Sequence, residues 1–313
     1  MLKYILLRLV QGVLVVFAGS VLIFSLVHLM PGDPVELITG ERVSEERRQE
    51  FRVRLGLDQP PHIQYINWLR RAVNLDFGTS IRTRRPVMDI LEHRIPLSVR
   101  LAGLAMAAQL VIGVPLGLIA AYKKDGAVDR GLISLASLLQ AMPNFWVAMI
   151  LIIIFGAILQ WLPLNGSDTW RHFILPVTAL SLGGIGGTLR MTRAEVLEVF
   201  REKYITTAYA KGLREKVVII KHVLRNSLIL VMITIFMSLP WIISGSIIIE
   251  NVFQIPGMGS ILTQSILSQD FPVIQASILI IAVLTVLCNI ASDIVAAALD
   301  PRIRIEITGG AAN

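Results

Sequence analysis

Apolar residues along this chain gather into six long runs, approximately Leu9–Met30, Leu97–Tyr122, Leu132–Leu159, Ile174–Leu189, Leu228–Ile249 and Val273–Leu299. A helix rises ~1.5 Å per residue, so about 20 apolar residues cross the hydrocarbon of a bilayer. The pattern predicts an all-α polytopic membrane protein with six transmembrane helices. The third run contains Pro143, and the short fourth carries Gly183, Gly184, Gly186 and Gly187. Such residues are tolerated in spans whose neighbours approach closely and re-satisfy the backbone. The fourth span is therefore expected to be buried among other helices. The first run has basic flanks, Lys3 and Arg8, but exceeds the roughly 7–15 apolar residues of a signal peptide. No small-x-small cleavage pattern follows it, so an uncleaved helix is expected.

The polar stretches set orientation. The loop between the second and third runs holds Lys123, Lys124 and Arg130, and Arg190–Asn226 has nine Lys or Arg against four acids. The loop around Asn165 has only Arg171, and Glu250–Pro272 has no Lys or Arg. Basic residues collect on the cytoplasmic side. Both termini and the 122–131 and 190–226 loops are thus expected in the cytoplasm. Residues 31–96 hold eleven Arg and ten acids but no Lys. A loop of that length largely escapes the charge rule, and its near-neutrality places it outside. Its pattern predicts short helices. Ser44 is an N-cap with Glu45 and Glu46 in the first turn, and Gly56 is a C-cap. A second helix covers His62–Val73, and an amphipathic stretch at Val87–Arg94 leads into the second span. The loop reads either as a solvated spacer or as a docking surface. No linker separates a soluble domain, so residues 1–313 are expected to form a single transmembrane domain.

Composition agrees with a bilayer setting: 54% hydrophobic, 16% charged, mean hydropathy +0.69. The net charge of +7 is met by cytoplasmic loops and anionic headgroups, so no nucleic-acid partner is expected. Cys288 is the one cysteine, which excludes an intrachain disulfide and a multi-cysteine metal site. No phosphate-binding loop, His-Glu-x-x-His or Gly-x-Ser-x-Gly pattern occurs. No catalytic residue, metal or bound cofactor is therefore assigned. An ion-coupled secondary transporter would place ionisable residues in mid-membrane. The span cores are nearly uncharged, and Asp293, roughly 10 Å off centre by helix rise, reads as an interfacial or helix-pairing residue. Polar positions within spans are Gln109, Gln140, Asn144, Ser181, Ser238, Ser244 and Asn289. Interhelical hydrogen bonding accounts for most such residues. Gln140, Asn144, Ser244 and Asn289 are the candidates for a solute path. Glu250 and Asn251 are either an outer gate or a solvated helix end.

The stretch Arg190–Asn226 is rich in Glu, Lys, Arg and Ala, which favours helix. Gly212 can end a helix in a left-handed cap and reverse the chain, which predicts a helix–turn–helix projecting from the membrane. Its pattern, Tyr204-Ile205-x-Thr207-Ala208-x-Ala210-Lys211-Gly212-Leu213 followed by His222-x-Leu224-Arg225-Asn226, resembles the EAA loop of ABC importer permeases of the dipeptide/oligopeptide/nickel family. Further motifs of that family run along the chain in order. They are Arg8-Leu9, His28 with Pro31-Gly32-Asp33-Pro34, Leu55-Gly56-Leu57-Asp58-x-Pro60, Asp76-Phe77-Gly78-x-Ser80, Arg190-Met191-Thr192-Arg193, Pro256-Gly257-x-Gly259 and Asp300-Pro301-Arg302-Ile303-Arg304. There are departures: the general pattern's Glu is Thr206. Arg225 and Leu230 stand where prolines occur in other permeases, which leaves a bend at the start of the fifth span without its usual cause.

The resemblance implies a type I importer permease that works by alternating access in a bacterial or archaeal inner membrane. It implies a second homologous permease subunit, two ATPase subunits that bind ATP and Mg, and an extracytoplasmic substrate-binding protein. The chain itself would hold no cofactor and would not be an enzyme. Carried over by position, the residues coupling to the ATPase are Tyr204, Thr207, Ala208, Lys211, Gly212 and Arg214. Members carry dipeptides, longer peptides, glutathione, nickel chelates or sugars, and the resemblance does not choose among them. An ion-coupled secondary transporter and a membrane-anchored scaffold are the alternatives.

Overall fold

The computed structural model describes residues 2–29, 44–55 and 57–299. Met30, the Pro31–Pro34 motif, the cap assigned to Gly56 and the closing Asp300–Arg304 motif lie outside the described residues. Twelve helices account for nearly all of the described chain. They are α1 (Leu2–Leu29), α2 (Glu45–Leu55), α3 (Pro61–Val73), α4 (Val87–Tyr122), α5 (Ala127–Ala141) and α6 (Asn144–Ile158). They continue with α7 (Trp170–Phe200), α8 (Lys203–Ala210), α9 (Glu215–Met237), α10 (Leu239–Val252), α11 (Met258–Leu267) and α12 (Phe271–Leu299). Among the described residues there is no strand beyond one isolated bridge, Thr79 to Pro86. Five helices are long and apolar enough to span a bilayer, and up to six spans result with the bent pair α5–α6 taken as one.

Three expectations are corrected. The third run is not one helix: α5 and α6 meet at 100° across Met142–Pro143. Pro143 has no N–H to continue the ladder and disfavours helix at the residue before it. The fourth span does not end at Leu189 but continues to Phe200, since nothing between them breaks a helix. Only the latter part of 190–226 is therefore a separate helix–turn–helix. The fifth run is broken at Ser238, where Pro240 enters as the second residue of α10. Its start runs as one continuous helix through Leu230, with a π-helical stretch at Val218–Leu224.

The chain divides into two compact units. The first comprises Met1–Arg8, Ser98–Ile255 and Cys288–Asn313, and α7 is its hub, packed by α4, α5, α6, α9 and α10. Of the most apolar stretch of α7, 56% is buried, against 22–33% in the other long spans. Its glycines and their partners permit this. A methyl group on Gly117 of α4 would lie 2.5 Å from Cβ of Thr192, and one on Gly186 would lie 2.6 Å from the Ala136 carbonyl oxygen. Small residues at such crossings let backbones touch, which drives helix association where no hydrophobic effect operates.

The second unit comprises Leu9–Leu97 and Pro256–Leu287. Ile23, Phe77, Val87, Leu91, Met258 and Val273 are buried in its core. The Asp76–Ser80 motif now has a physical account. Asp76 accepts from Arg71 Nε and from the Gly78 N–H, both at 2.9 Å. The bond from Arg71 holds its carboxyl below the usual carboxylate range. Phe77 fills the core, and Gly78 takes φ +77°, a conformation side chains disfavour. Ser80 donates to buried Asp270 at 2.5 Å, which also accepts the Ile81 N–H at 3.1 Å. Gly257 caps α11.

Candidate functional site

The candidate coupling surface starts where α7 leaves the apolar run. Two contacts hold that extension in place. Thr192 packs on Gly117, and Arg193 forks onto Asp129 of α5, with Nε and Nη2 at 2.5 and 2.6 Å from its two oxygens. Asp129 is buried and also accepts the Asp125 N–H at 2.9 Å. A bidentate guanidinium–carboxylate pair fixes orientation as well as distance. The chain then turns at Arg201–Glu202 into α8.

Helix α8 is anchored on one side and bare on the other. Ile205 and Ala208 are buried with Ala121, Val196, Val218 and Val223. Tyr204, Thr207 and Lys211 lie at i, i+3 and i+7 along the stripe next to that face and are exposed. Of the six residues assigned to coupling, Ala208 thus packs the helix onto its own subunit, while Tyr204, Thr207, Lys211, Gly212 and Arg214 remain outward. The helix closes in a Schellman turn. The Leu213 N–H reaches the Ala208 carbonyl at 3.3 Å and the Gly212 N–H reaches that of Tyr209 at 2.9 Å. Gly212 has φ +76°, and no neighbour lies within 4 Å of where its Cβ would be, so backbone conformation alone requires glycine. Arg214 is the N-cap of α9, Asn226 Nδ2 donates to the Tyr204 hydroxyl at 3.1 Å, and Tyr122 donates to Glu215 at 3.3 Å. The surface left outward is basic, with Lys203, Lys211, Arg214 and Lys216 all exposed.

The path candidates divide. Gln140 is the last residue but one of α5 and Asn144 the first of α6, and both lie beside glycines of α7. Ser244 on α10 is exposed and donates to the Pro240 carbonyl at 3.1 Å; Asn289 is exposed on α12. They share neither an element nor a hydrogen bond with the first pair. The reading of Glu250 as a solvated helix end is corrected. Glu250 is fully buried and accepts from Ser98 at 2.6 Å and Ser246 at 3.2 Å, whereas Asn251 is exposed and donates to the Ile247 carbonyl. Asp293 pairs α12 with α1: Arg8 Nε lies 3.1 Å from its carboxylate, and Tyr4 donates to its carbonyl.

Sequence reasoning missed Asp129, Ser98 and Ser246. Asp129 could have been suspected as an acid in the first turn of a helix flanked by Lys and Arg. The two serines carry no sequence signal apart from their apolar surroundings. The second unit also holds a cavity of about 490 Å³ lined by Arg82, Arg85, His93, Asp89 and Asp270 among others.

An all-α assembly of up to six spans, with the fourth extended into a braced amphipathic helix, defines a multi-pass membrane transport subunit. Residues 113–305 match the family described as binding-protein-dependent transport system inner membrane component, and residues 1–102 match its N-terminal region. The chain belongs to this family, the inner-membrane permease subunits of ABC importers, whose partners are an ATPase and a substrate-binding protein. A putative peptide transport system permease of Brucella abortus is 38% identical over 314 residues, covering 98% of this chain and 100% of the relative. The glutathione transport system permease GsiC of Escherichia coli is 38% identical over 306 residues, with the same coverage. An inward-facing structure of the MetNI methionine ABC transporter shares the fold with a TM-score of 0.59 and 17% identity. It covers 68% of this chain and 97% of its own.

Proposed function

We propose that this chain forms half of the translocation pathway for peptides or a peptide-like solute such as glutathione, as one permease domain, and is driven through α8. The peptide reading rests on the two relatives whose names carry those solutes. The single observation that carries the coupling reading is the division of α8 between an anchored face, Ile205 and Ala208, and a bare stripe, Tyr204, Thr207 and Lys211. A short helix held this way moves with the bundle and still offers side chains to a partner. Gly212 sets where the chain turns back, and Lys211 and Arg214 meet acids on an ATPase. ATP and Mg are bound by two such ATPases; this chain makes and breaks no covalent bond. A second, homologous permease completes the pore, and the binding protein delivers solute to the second unit. Gln140, Asn144, Ser244 and Asn289 line the path, while Glu250, with Asn251 beside it, belongs to the outer gate. The carboxylate of Asp293 is paired with Arg8, which argues against an ion-coupled carrier relaying protons through it.

The test is purification of the tagged chain in mild detergent with mass spectrometry of what accompanies it. A second six-span chain and proteins bearing phosphate-binding loops are expected. Lys211→Glu with Arg214→Glu is expected to lower ATPase recovery at least tenfold while the other permease stays bound. Undiminished recovery removes α8 from the interface.

A further inference from the structure

We propose that Gln109, Gln140 and Asn144 form a carboxamide station at the broken third span, where the peptide groups of the passing solute bind; this rests on the peptide reading above. The three come from α4, α5 and α6, and all meet the glycine strip of α7. A Cβ on Gly187 would lie 2.8 Å from Gln140 Nε2, one on Gly183 3.8 Å from Asn144 Oδ1, and one on Gly184 2.3 Å from Gln109 Cδ. Positions three or four apart on a helix are neighbours, so the three carboxamides share one side of α7. Gln109 is 4% exposed and starts a π-helical stretch, Gln109–Gly113, a local irregularity frequent at functional sites.

None of the three side chains has a hydrogen-bond partner among the described residues. A carboxamide offers two donors and an acceptor oxygen, and inside an apolar span such groups ordinarily bond to a neighbouring helix. Here they bond to nothing among the described residues. Gln140 is exposed and Asn144 half-buried, so the cluster opens outward rather than lying sealed in the bundle. Hydrocarbon is a poor neighbour for it. The break adds a further polar element. The Pro143 carbonyl receives the Trp146 and Val147 N–H groups, at 3.0 and 3.1 Å. The N–H groups of Asn144 and Phe145, at the start of a helix, have no intrahelical acceptor. Half-helix N-termini inside discontinuous spans favour anionic groups of a substrate. Carboxamides match the donor–acceptor pattern of a peptide unit, and the helix start suits a terminal carboxylate. Neither feature reads side chains, which fits a path that admits peptides of different sequence.

The experiment uses the assembled importer in native membranes, with Cys288→Ala as background and single cysteines at 109, 140 and 144. A cationic methanethiosulfonate reports contact with water; Lys124→Cys is the exposed control and Leu14→Cys the lipid-facing one. Labelled trialanine and S-methylglutathione, whose blocked thiol cannot consume the reagent, serve as probes during turnover with ATP. Labelling within tenfold of the Lys124→Cys rate, slowed at least fivefold by a transported probe, is expected. Rates no faster than at Leu14→Cys, or rates unmoved by a probe that is taken up, overturn the station. Uptake of neither probe by the unsubstituted importer is a failure of the peptide reading, seen before any variant is made, and removes the station's specificity with it. As a readout independent of thiols, Gln109→Leu should cut uptake at least tenfold, with ATP hydrolysis and complex yield within twofold. Parallel loss of all three reduces Gln109 to packing.

Discussion

A single backbone angle carries much of the coupling turn. Gly212 sits at φ +76° with nothing near its missing Cβ, so any β-branched residue there strains the backbone by about 1–2 kcal/mol and opens the Schellman turn. Gly212→Val should leave the chain in the membrane and lower solute uptake per ATP hydrolysed several-fold. Normal stoichiometry in reconstituted vesicles would remove the turn from the mechanism. Asp129 carries the other local dependence. With its carboxylate buried and two Arg193 nitrogens on it, Asp129→Ala strands a guanidinium that keeps some access to water. The cost should fall below the roughly 3–5 kcal/mol of a fully buried broken pair, at about 2–3 kcal/mol. Thermal unfolding of the detergent-solubilised importer checks it, and replacing both partners, Asp129→Leu with Arg193→Met, should recover most of the loss. At this scale the sequence was partly readable. The requirement for glycine at 212 showed in its place after a helix-forming run. The partner of Arg193 lies 64 residues away, a separation that no local pattern encodes.

Elements show what a run of apolar residues can and cannot say. Six runs led to up to six spans, and the short helices α2 and α3 begin at Glu45, after the Ser44 cap, and at Pro61, one residue before the expected His62, because caps and periodicity act locally. The breaks were harder to place. Pro143 announced a disturbance, but the 100° turn it makes depends on α7 filling the angle, which is tertiary. The run of α7 to Phe200 was legible and was misjudged: charge alone does not end a helix, and no Gly or Pro stands between Leu189 and Phe200. The break between α9 and α10 is reinforced from elsewhere. Pro240 has no N–H to offer the Phe236 carbonyl, and the Ser292 hydroxyl of α12 lies 2.6 Å from that oxygen. Ser and Thr side chains commonly serve freed carbonyls in spans. Ser292→Ala should therefore destabilise by about 1 kcal/mol. Adding Pro240→Ala, which restores an N–H, should return most of it and lengthen the helix. A double variant no more stable than Ser292→Ala alone would show that the hydroxyl serves its other neighbour, the Cys288 carbonyl, 2.7 Å away.

For the whole molecule, the physics that fixes orientation is the distribution of Lys and Arg, since nothing in helix packing distinguishes the two sides of a bilayer. The Arg190–Asn226 stretch carries nine of the chain's twenty-nine Lys and Arg, whereas Glu250–Pro272 carries none. The structure sharpens this contrast. Lys203, Lys211, Arg214 and Lys216 stand exposed around α8, where a translocated loop would have to drag them across hydrocarbon at about 2.5–3.5 kcal/mol per charge on insertion scales. The long 31–96 stretch is nearly neutral instead, with eleven Arg against ten acids; Arg71 pairs with Asp76, and no lysine is present to hold the stretch inside. A reporter that fluoresces only in the cytoplasm, fused after Lys124 or after Gly212, should therefore be bright, and one fused after Gln254 dark. A periplasmic phosphatase at the same three points should give the inverse pattern. Reversing the charge of the four exposed basic residues near α8 together should weaken this preference and raise the misoriented fraction at the Gln254 fusion. An unchanged fraction would mean that orientation is set earlier, by Lys3 and Arg8 at the start of the first helix.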